Sequence, residues 1–188
     1  MPIRIEDHNS RWKTEFESIK NHLQKDILKD IPIISIEHVG STSIPGLAAK
    51  PVLDIDIIVD SVVIASTRAA LAEGGYQDLG DMGVPGRYAF RQPGILADGT
   101  TRNGEMRRNT YVVIDGCLSL RNHLDLKRIL LEDEALREEY SNKKKQLVDS
   151  GVEDVDEYCR GKTEVAIKIL KAAGWTEEEL DEVRMANE

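Results

Sequence analysis

The sequence predicts an α+β fold in which a small mixed β-sheet packs against helices and the C-terminal half is helical. Short apolar runs typical of strands are confined to the region before Asp115-Gly116, and from Ser119 almost to the end apolar residues recur at helical spacing. The 188 residues are 40% hydrophobic and 31% charged, as expected for one soluble globular domain spanning residues 1–188.

The N-terminal helix is predicted from about Ser10 to Leu28, with Asn9 or Ser10 as its cap, because a stripe of apolar residues recurs every three or four positions: Trp12, Phe16, Ile19, Leu23 and Ile27. A second helix begins at Ser61 and ends at Gly74-Gly75. The predicted strands are 33–39, 52–59, 87–91 and 106–114. The predicted C-terminal helices are 119–131, 133–149, 154–173 and 176–186, the last with a capping box at Thr176 and Glu179.

Two acids interrupt the apolar strand 52–59, and they are the strongest functional signal. Side chains two residues apart in a strand project to the same side, so Asp54 and Asp56 converge. Burying two carboxylates is costly unless they have a partner, and Mg²⁺ (or Mn²⁺) is a suitable one because it accepts a few carboxylates together with substrate phosphates. Upstream, the Gly40-Ser41 turn offers backbone N–H groups and a hydroxyl to a phosphate.

The stretch from His38 to Pro51, HVGSTSIPGLAAKP, followed by Asp54-Ile55-Asp56, resembles the signature of the GrpB family. That family is grouped with the nucleotidyltransferases of the DNA polymerase beta superfamily, so the resemblance implies a nucleotidyltransferase-like sheet. Less specific similarities place Arg121, in the segment Leu120 to Leu124, on the family's arginine-bearing helix, and match Tyr158 and Lys162 to a tyrosine–lysine pair near the family's C-terminal end. The resemblance implies that Arg121 and Lys162 bind phosphate.

Other residues of the signature each have a functional and a structural interpretation. Ser43 belongs to the phosphate-binding connector, and Lys50 either meets a phosphate or is a solvated surface residue. His38 lies out of alternation with the acids, so it either touches substrate or is a core histidine with its hydrogen bonds satisfied.

Basic residues elsewhere also have two interpretations. The glycine-rich segment from Gly94 to Arg108, with the neighbouring Arg91, is either a mobile flap that clamps phosphates or a polar surface loop. Lys143-Lys144-Lys145 is interpreted as a solvated helix face rather than a nucleic-acid patch. Cys117 and Cys159 are expected to be free thiols.

The chain departs from the superfamily pattern at one point. Active members add a third acid on a later strand, and strand 106–114 contains none. Asn109 and Tyr111 stand where the GrpB family tends to carry histidines, and Asp115 falls at the following turn.

The predicted function is Mg²⁺-dependent transfer of a nucleotidyl group from a nucleoside triphosphate to a small acceptor. The alternative is a non-catalytic nucleotide- or phospho-ligand-binding module, and a third reading is an interaction domain that uses the acidic C-terminal helix. The formal net charge of −9 argues against a polynucleotide partner. With no secretory signal and no apolar run of about 20 residues, the expected location is cytoplasmic, without a membrane partner. The base, the acceptor and the oligomeric state remain open.

Overall fold

Five strands form one mixed sheet in the computed structural model, which describes residues 3–96 and 99–186. The strands are β1 (Ser35–Val39), β2 (Val52–Val59), β3 (Gln77–Asp78), β4 (Arg87–Arg91) and β5 (Arg107–Ile114). Their order across the sheet is β1-β2-β5-β4-β3. Strands β2 and β5 are parallel, and the other neighbouring pairs are antiparallel. The acid-bearing strand β2 is therefore flanked on both sides.

Two α-helices precede β5 and four follow it within the described residues. They are α1 (Arg11–His22), α2 (Ile64–Glu73), α3 (Leu118–Glu132), α4 (Glu134–Asp149), α5 (Val155–Ala172) and α6 (Glu177–Ala186). The predicted class, an α+β fold with a mixed sheet and a helical C-terminal half, is confirmed. No helix in the described ranges has both the length and the apolar character needed to span a bilayer.

Three local details differ from the prediction. The N-terminal helix ends in a π-helical turn, Leu23–Ile27, in which the Leu28 N–H bonds to the Leu23 carbonyl. Leu23 and Leu28, at the two ends of this wider turn, are both buried in the core. The second helix begins, as predicted, at Ser61, but its first turn, Ser61–Val63, is a 3-10 helix that Asp60 caps by accepting from the Val62 N–H, and α2 itself starts at Ile64. The two-residue strand β3 was not predicted, because so short an element leaves no periodic pattern.

The two faces of the sheet have different roles. One face carries Ile36, Ile55, Ile57 and Val112 and packs on Trp12 and other residues of α1 and α2 to form the main core. Residues that alternate with these lie on the opposite face, beneath α3. There Ile58 and Val113 pack on Leu120. Asp54 and Asp56 lie on this second face, which we call the acid face.

Candidate functional site

Asp54 and Asp56 project from the acid face at the middle of the sheet. Asp54 pairs with Asn109 on β5 and Asp56 with Tyr111, so the four side chains share one side. The Asn109 amide donates a 2.8 Å hydrogen bond to Asp54 Oδ1. Burial raises the pKa of the Asp54 carboxyl and Asp56 raises it further, whereas the Asn109 amide and the positive charges of His123 and Lys162 lower it.

Asp56 is fully buried, and its two oxygens have different surroundings. His123, on α3, donates from Nδ1 to Asp56 Oδ2 at 2.7 Å. Asp56 Oδ1 has no hydrogen-bond partner among the residues that the structure describes. A buried carboxylate oxygen without a donor is costly, so this atom is a natural ligand for a cation.

The turn after β1 is built against Asp54. Gly40 has φ 67° and ψ −174°, a backbone conformation essentially reserved for glycine. A Cβ atom at Gly40 would lie 2.1 Å from Asp54 Oδ2, so the absence of a side chain lets the turn approach the carboxylate. The hydroxyl of Ser43 donates to the Gly40 carbonyl at 2.7 Å and closes the turn.

Lys144 joins the helical half to this turn. The side chain is only 1% exposed, and Nζ donates to Ser41 Oγ at 3.0 Å while it lies 4.4 Å from the centre of the Tyr140 ring. Burial, and then the charge of Lys162, lower the pKa of Lys144 well below its usual value. The interpretation of residues 143–145 as a solvated helix face is therefore wrong for Lys144, because its helix is packed with that side inward.

Two further lysines, Lys50 and Lys162, lie near Asp54. Lys162 and Lys50 both approach the ring of the buried Tyr158, at 4.4 and 5.9 Å from its centre. Burial, and then the charge of Lys162, lower the pKa of Lys50. Within the described part of the chain, none of the three lysines forms an ion pair with a carboxylate. We call Lys50, Lys144 and Lys162 the lysine cluster.

Comparison with known sequences identifies the family. Residues 2–172 match the family described as "GrpB protein". The chain belongs to the GrpB family. The predicted membership is thus confirmed, and the match extends through the lysine cluster to the end of α5.

Individual GrpB relatives are distant but cover most of the chain. The UPF0157 protein YqkA of Bacillus subtilis is 28% identical over 163 residues, 86% of this chain and 44% of that protein. The UPF0157 protein PA4798 of Pseudomonas aeruginosa is 33% identical over 149 residues, 76% of this chain and 57% of that protein. The chain thus spans about half the length of these two relatives. The glutamate-rich protein GrpB of Alkalihalophilus pseudofirmus is 26% identical and is covered over 91% of its length.

One solved structure supports the same fold. The crystal structure of the conserved protein GrpB from Enterococcus faecalis is 26% identical, with a TM-score of 0.74, and the match covers 92% of this chain and all of that one. A weaker likeness, with a TM-score of 0.43 and 13% identity, relates 74% of this chain to 43% of the Cid1 poly(U) polymerase. We draw no conclusion from the second likeness.

The structure brings most of the GrpB signature residues together, but His38 lies on the other face. It pairs with Ile55, stacks on Phe16 with 4.8 Å between ring centres, and shares a 2.9 Å hydrogen bond with Thr42. Burial, with the nearby charge of Lys127, lowers the pKa of His38 to about 4. Of its two interpretations, the geometry favours a core histidine that supports the turn.

Arg121 lies away from the acids, on the outer side of α3. Its guanidinium lies 4.6 Å from the centre of the Trp175 ring and forms ion pairs with Glu179 and Asp125. It therefore joins α3 to α6. His123, two residues later on the opposite side of the helix, is the residue of this segment that reaches the acids.

The predicted flap is partly built into the sheet. Arg108 is buried and bonds to the Tyr76 hydroxyl, and its own backbone N–H bonds to Gln92. It is therefore not free to clamp a phosphate. Arg102 and Arg107 are exposed, and residues 97 and 98 lie outside the described part of the chain.

The site offers a divalent cation the two carboxylates of β2, and β5 adds no acid to them. Glu37 of β1, which pairs with Asp56, lies on the same face. The acid face of β5 carries Asn109 and Tyr111. Asp115 lies beyond the end of the strand, where it is exposed and its backbone N–H donates a hydrogen bond to the Val59 carbonyl. No group of three His, Cys, Asp or Glu residues is arranged to hold a metal within the described ranges. The unpartnered Asp56 Oδ1 still fits Mg²⁺ or Mn²⁺, which accept water and phosphate oxygens as their remaining ligands.

Proposed function

We propose that this protein transfers a nucleotidyl group from a nucleoside triphosphate to a small acceptor, with Mg²⁺ or Mn²⁺ as cofactor. The observation that carries the proposal is the close approach of the Gly40-Ser41 turn to Asp54, on the same face as Asp56. The glycine turn can bind phosphates, and the carboxylate pair beside it can bind a cation. A metal-bound triphosphate requires these two sites to be adjacent.

The lysine cluster supports the phosphate part of the proposal. The three lysines are buried or half-buried and form no ion pair with a carboxylate in the described ranges, and a polyphosphate beside Ser41 would supply the negative charge that stabilises their protonated forms. Lys144 and Ser41 already contact each other, so little reorganisation is needed for both to bind the β- and γ-phosphates. The contact with Ser41 supports Lys144 as a further member of the proposed phosphate-binding set, with Gly40, Ser41, Ser43, Lys50 and Lys162.

In the proposed reaction an acceptor hydroxyl oxygen forms a bond to the α-phosphorus, and the bond from that phosphorus to the bridging oxygen breaks. Pyrophosphate leaves with the electron pair, and the acceptor proton passes to water. Asp54 and Asp56 would hold the divalent ion, which supplies orientation and charge stabilisation when bound. Ser41 and Lys144 would hold the leaving pyrophosphate, and Asn109 keeps the Asp54 carboxylate oriented.

The second candidate is a binding module that holds a nucleotide or another phosphorylated ligand without turnover. The observation in its favour is the pair Asn109 and Tyr111 on β5, where an active enzyme of the superfamily would present an acid. An amide cannot accept a proton from an attacking hydroxyl. Both candidates predict metal-dependent nucleotide binding, and only the first predicts release of pyrophosphate.

Calorimetry on three proteins tests the shared part of these candidates. ATP, GTP, CTP and UTP are titrated with Mg²⁺ and with EDTA into the wild type, Asp54→Asn and Asp60→Asn. We expect metal-dependent binding that Asp54→Asn loses without unfolding. Asp60→Asn is the matched control, because Asp60 is exposed, follows the same strand and caps a helix, a role that asparagine fills equally well.

Pyrophosphate release over a panel of acceptors then separates the enzyme from the binding module. Release that depends on acceptor and metal, and that Asp54→Asn abolishes, supports transfer. Binding without any release supports the module. Unchanged activity in Asp54→Asn would exclude the assignment of the acids.

A further inference from the structure

The sheet topology fixes the side from which an acceptor approaches, given the proposed function on which this inference rests. In phosphoryl transfer the attacking and leaving oxygens lie roughly in line. The proposed leaving pyrophosphate lies at the Gly40-Ser41 turn, which continues from β1, and β1 and β5 lie on opposite sides of β2. The acceptor must therefore lie over β5 and β4.

The acid face of β4 carries two arginines and no acid. The pairing places Arg91 in one row with Asn109 and Asp54, and Arg87 beside Val113. Ala89, between the two arginines, pairs with Tyr111 and leaves room above it. Because neighbouring strands are about 4.8 Å apart, the Arg91 Cα lies about 10 Å from that of Asp54, within reach of a long side chain and a small bound molecule.

These two arginines lack the carboxylate partners that several other arginines have within the described ranges. Arg68 pairs with Asp78 and Arg128 with Asp125, but neither Arg87 nor Arg91 forms an ion pair within the described ranges. The Arg87 guanidinium lies 4.8 Å from the centre of the Tyr111 ring, and its buried Nε has no hydrogen-bond partner in those ranges. Arg91 is exposed at the end of the strand.

We infer that the acceptor is a small hydroxyl compound that carries a carboxylate or phosphate group, and that Arg91 and Arg87 bind this oxyanion beside the Tyr111 ring. A guanidinium offers a fork of N–H donors that matches the two oxygens of such a group. The lysine cluster on the β1 side is then the site for the triphosphate, and the arginines on the β4 side are the site for the acceptor anion. The chain has a net charge of −9, so two separate groups of basic residues on one face indicate two separate binding sites for anions.

The test is NMR of the arginine Nε–H signals, in protein saturated with Mg²⁺ and a non-hydrolysable nucleoside triphosphate so that the lysine cluster is occupied. Inorganic phosphate and acetate are the probes, and glycerol is the neutral control. We expect saturable shifts of the Arg87 and Arg91 signals with phosphate, acetate or both, and none with glycerol. The oxyanion that binds identifies which group the acceptor carries.

Two variants complete the test. Arg91→Gln should weaken oxyanion binding on the order of 10- to 100-fold, the worth of one charged hydrogen bond or two. Arg68→Gln makes the same charge change on the other face of the sheet, where Arg68 stacks on Tyr88. This variant should bind the oxyanion as tightly as the wild type does. Nucleotide affinity should be that of the wild type in both variants, because neither residue contacts the phosphate side.

Absence of saturable shifts, or equal oxyanion affinity in the two variants, overturns the inference while the nucleotide titration leaves the proposed function intact. Failure of the triphosphate analogue to bind the wild type is seen in the first titration, before any oxyanion is added. That result overturns the proposed function and the acceptor site together.

Discussion

At the scale of single residues, the position of Asp54 depends on Gly40. Gly40→Ala would place a Cβ against Asp54 Oδ2 and would strain a backbone conformation essentially reserved for glycine, at a cost of about 1–3 kcal/mol. We expect the variant to fold, to lose part of its stability and to lose metal-dependent nucleotide binding, because the carboxylate must move. Denaturation and calorimetry measure the two effects.

Gly116→Ala is the control for Gly40→Ala. Gly116 also has a positive φ, 76°, but a Cβ there would meet no atom within 4 Å. The Gly116→Ala variant should lose stability through backbone strain alone and should bind nucleotide as the wild type does. Normal nucleotide affinity in Gly40→Ala would mean that the turn does not position Asp54 for binding.

The buried Lys144 links stability to pH in a direction that its environment fixes. Because its pKa is lowered in the folded state, the unfolded chain binds more protons than the native one between that lowered pKa and the ordinary value of 10.5. The free energy of unfolding therefore rises with pH in this window, by up to about 1.4 kcal/mol per pH unit.

We expect Lys144→Met to remove this pH dependence and to weaken nucleotide binding roughly 10- to 100-fold, because the charged hydrogen bond to phosphate is lost. Urea denaturation at neutral and at alkaline pH measures the first effect. The wild type should gain stability relative to the variant as the pH rises towards that of free lysine. A difference between the two proteins that is constant with pH would contradict a lowered pKa of Lys144 in the folded state.

At the scale of secondary structure elements, the sequence predicts most of the fold because the signals are local. Strand β2 matches its predicted bounds, and the capping box is present, with the Thr176 N–H bonded to Glu179 and the Glu179 N–H to the Thr176 hydroxyl. The convergence of Asp54 and Asp56 also follows from strand geometry alone. Each of these features depends on residues close in sequence.

Residues that reach the site from distant elements are not predictable in the same way. Lys144 meets Ser41 across 103 positions, and His123 meets Asp56 across 67. Helical spacing does show that both point inward, since Lys144 follows Leu136 by eight residues and His123 follows the buried Leu120 by three. What lies opposite them is a property of the packed fold.

Arg121 joins α3 to α6, whereas the family resemblance implied that it binds phosphate. We expect Arg121→Met to lower stability by about 0.5–1 kcal/mol, through lost cation–π contact with the Trp175 ring, and to leave nucleotide affinity unchanged. Denaturation and calorimetry on this variant test both statements. Weakened nucleotide binding at unchanged stability would instead assign Arg121 to the phosphate site.

At the scale of the whole molecule, charge is distributed very unevenly. The chain has 34 acidic and 25 basic side chains. Lys144 and Lys162, with Arg87 and Arg91, nevertheless lie without carboxylate partners in the described ranges, on the two sides of Asp54 and Asp56. A metal and a small anionic ligand can be bound there, whereas the remaining surface offers a long phosphate backbone little attraction.

This distribution predicts that the protein does not bind polynucleotides. Non-specific binding to nucleic acid comes almost entirely from the contacts of basic residues with phosphates, which a chain of net charge −9 cannot provide over several nucleotides. In fluorescence anisotropy at low salt, a labelled single-stranded RNA should show no saturable binding tighter than about 10⁻⁴ M. The same preparation should bind a nucleoside triphosphate with Mg²⁺, which serves as the positive control. Tighter RNA binding that weakens steeply with added salt would replace the small acceptor with a polynucleotide, because such a salt dependence is the signature of released counterions.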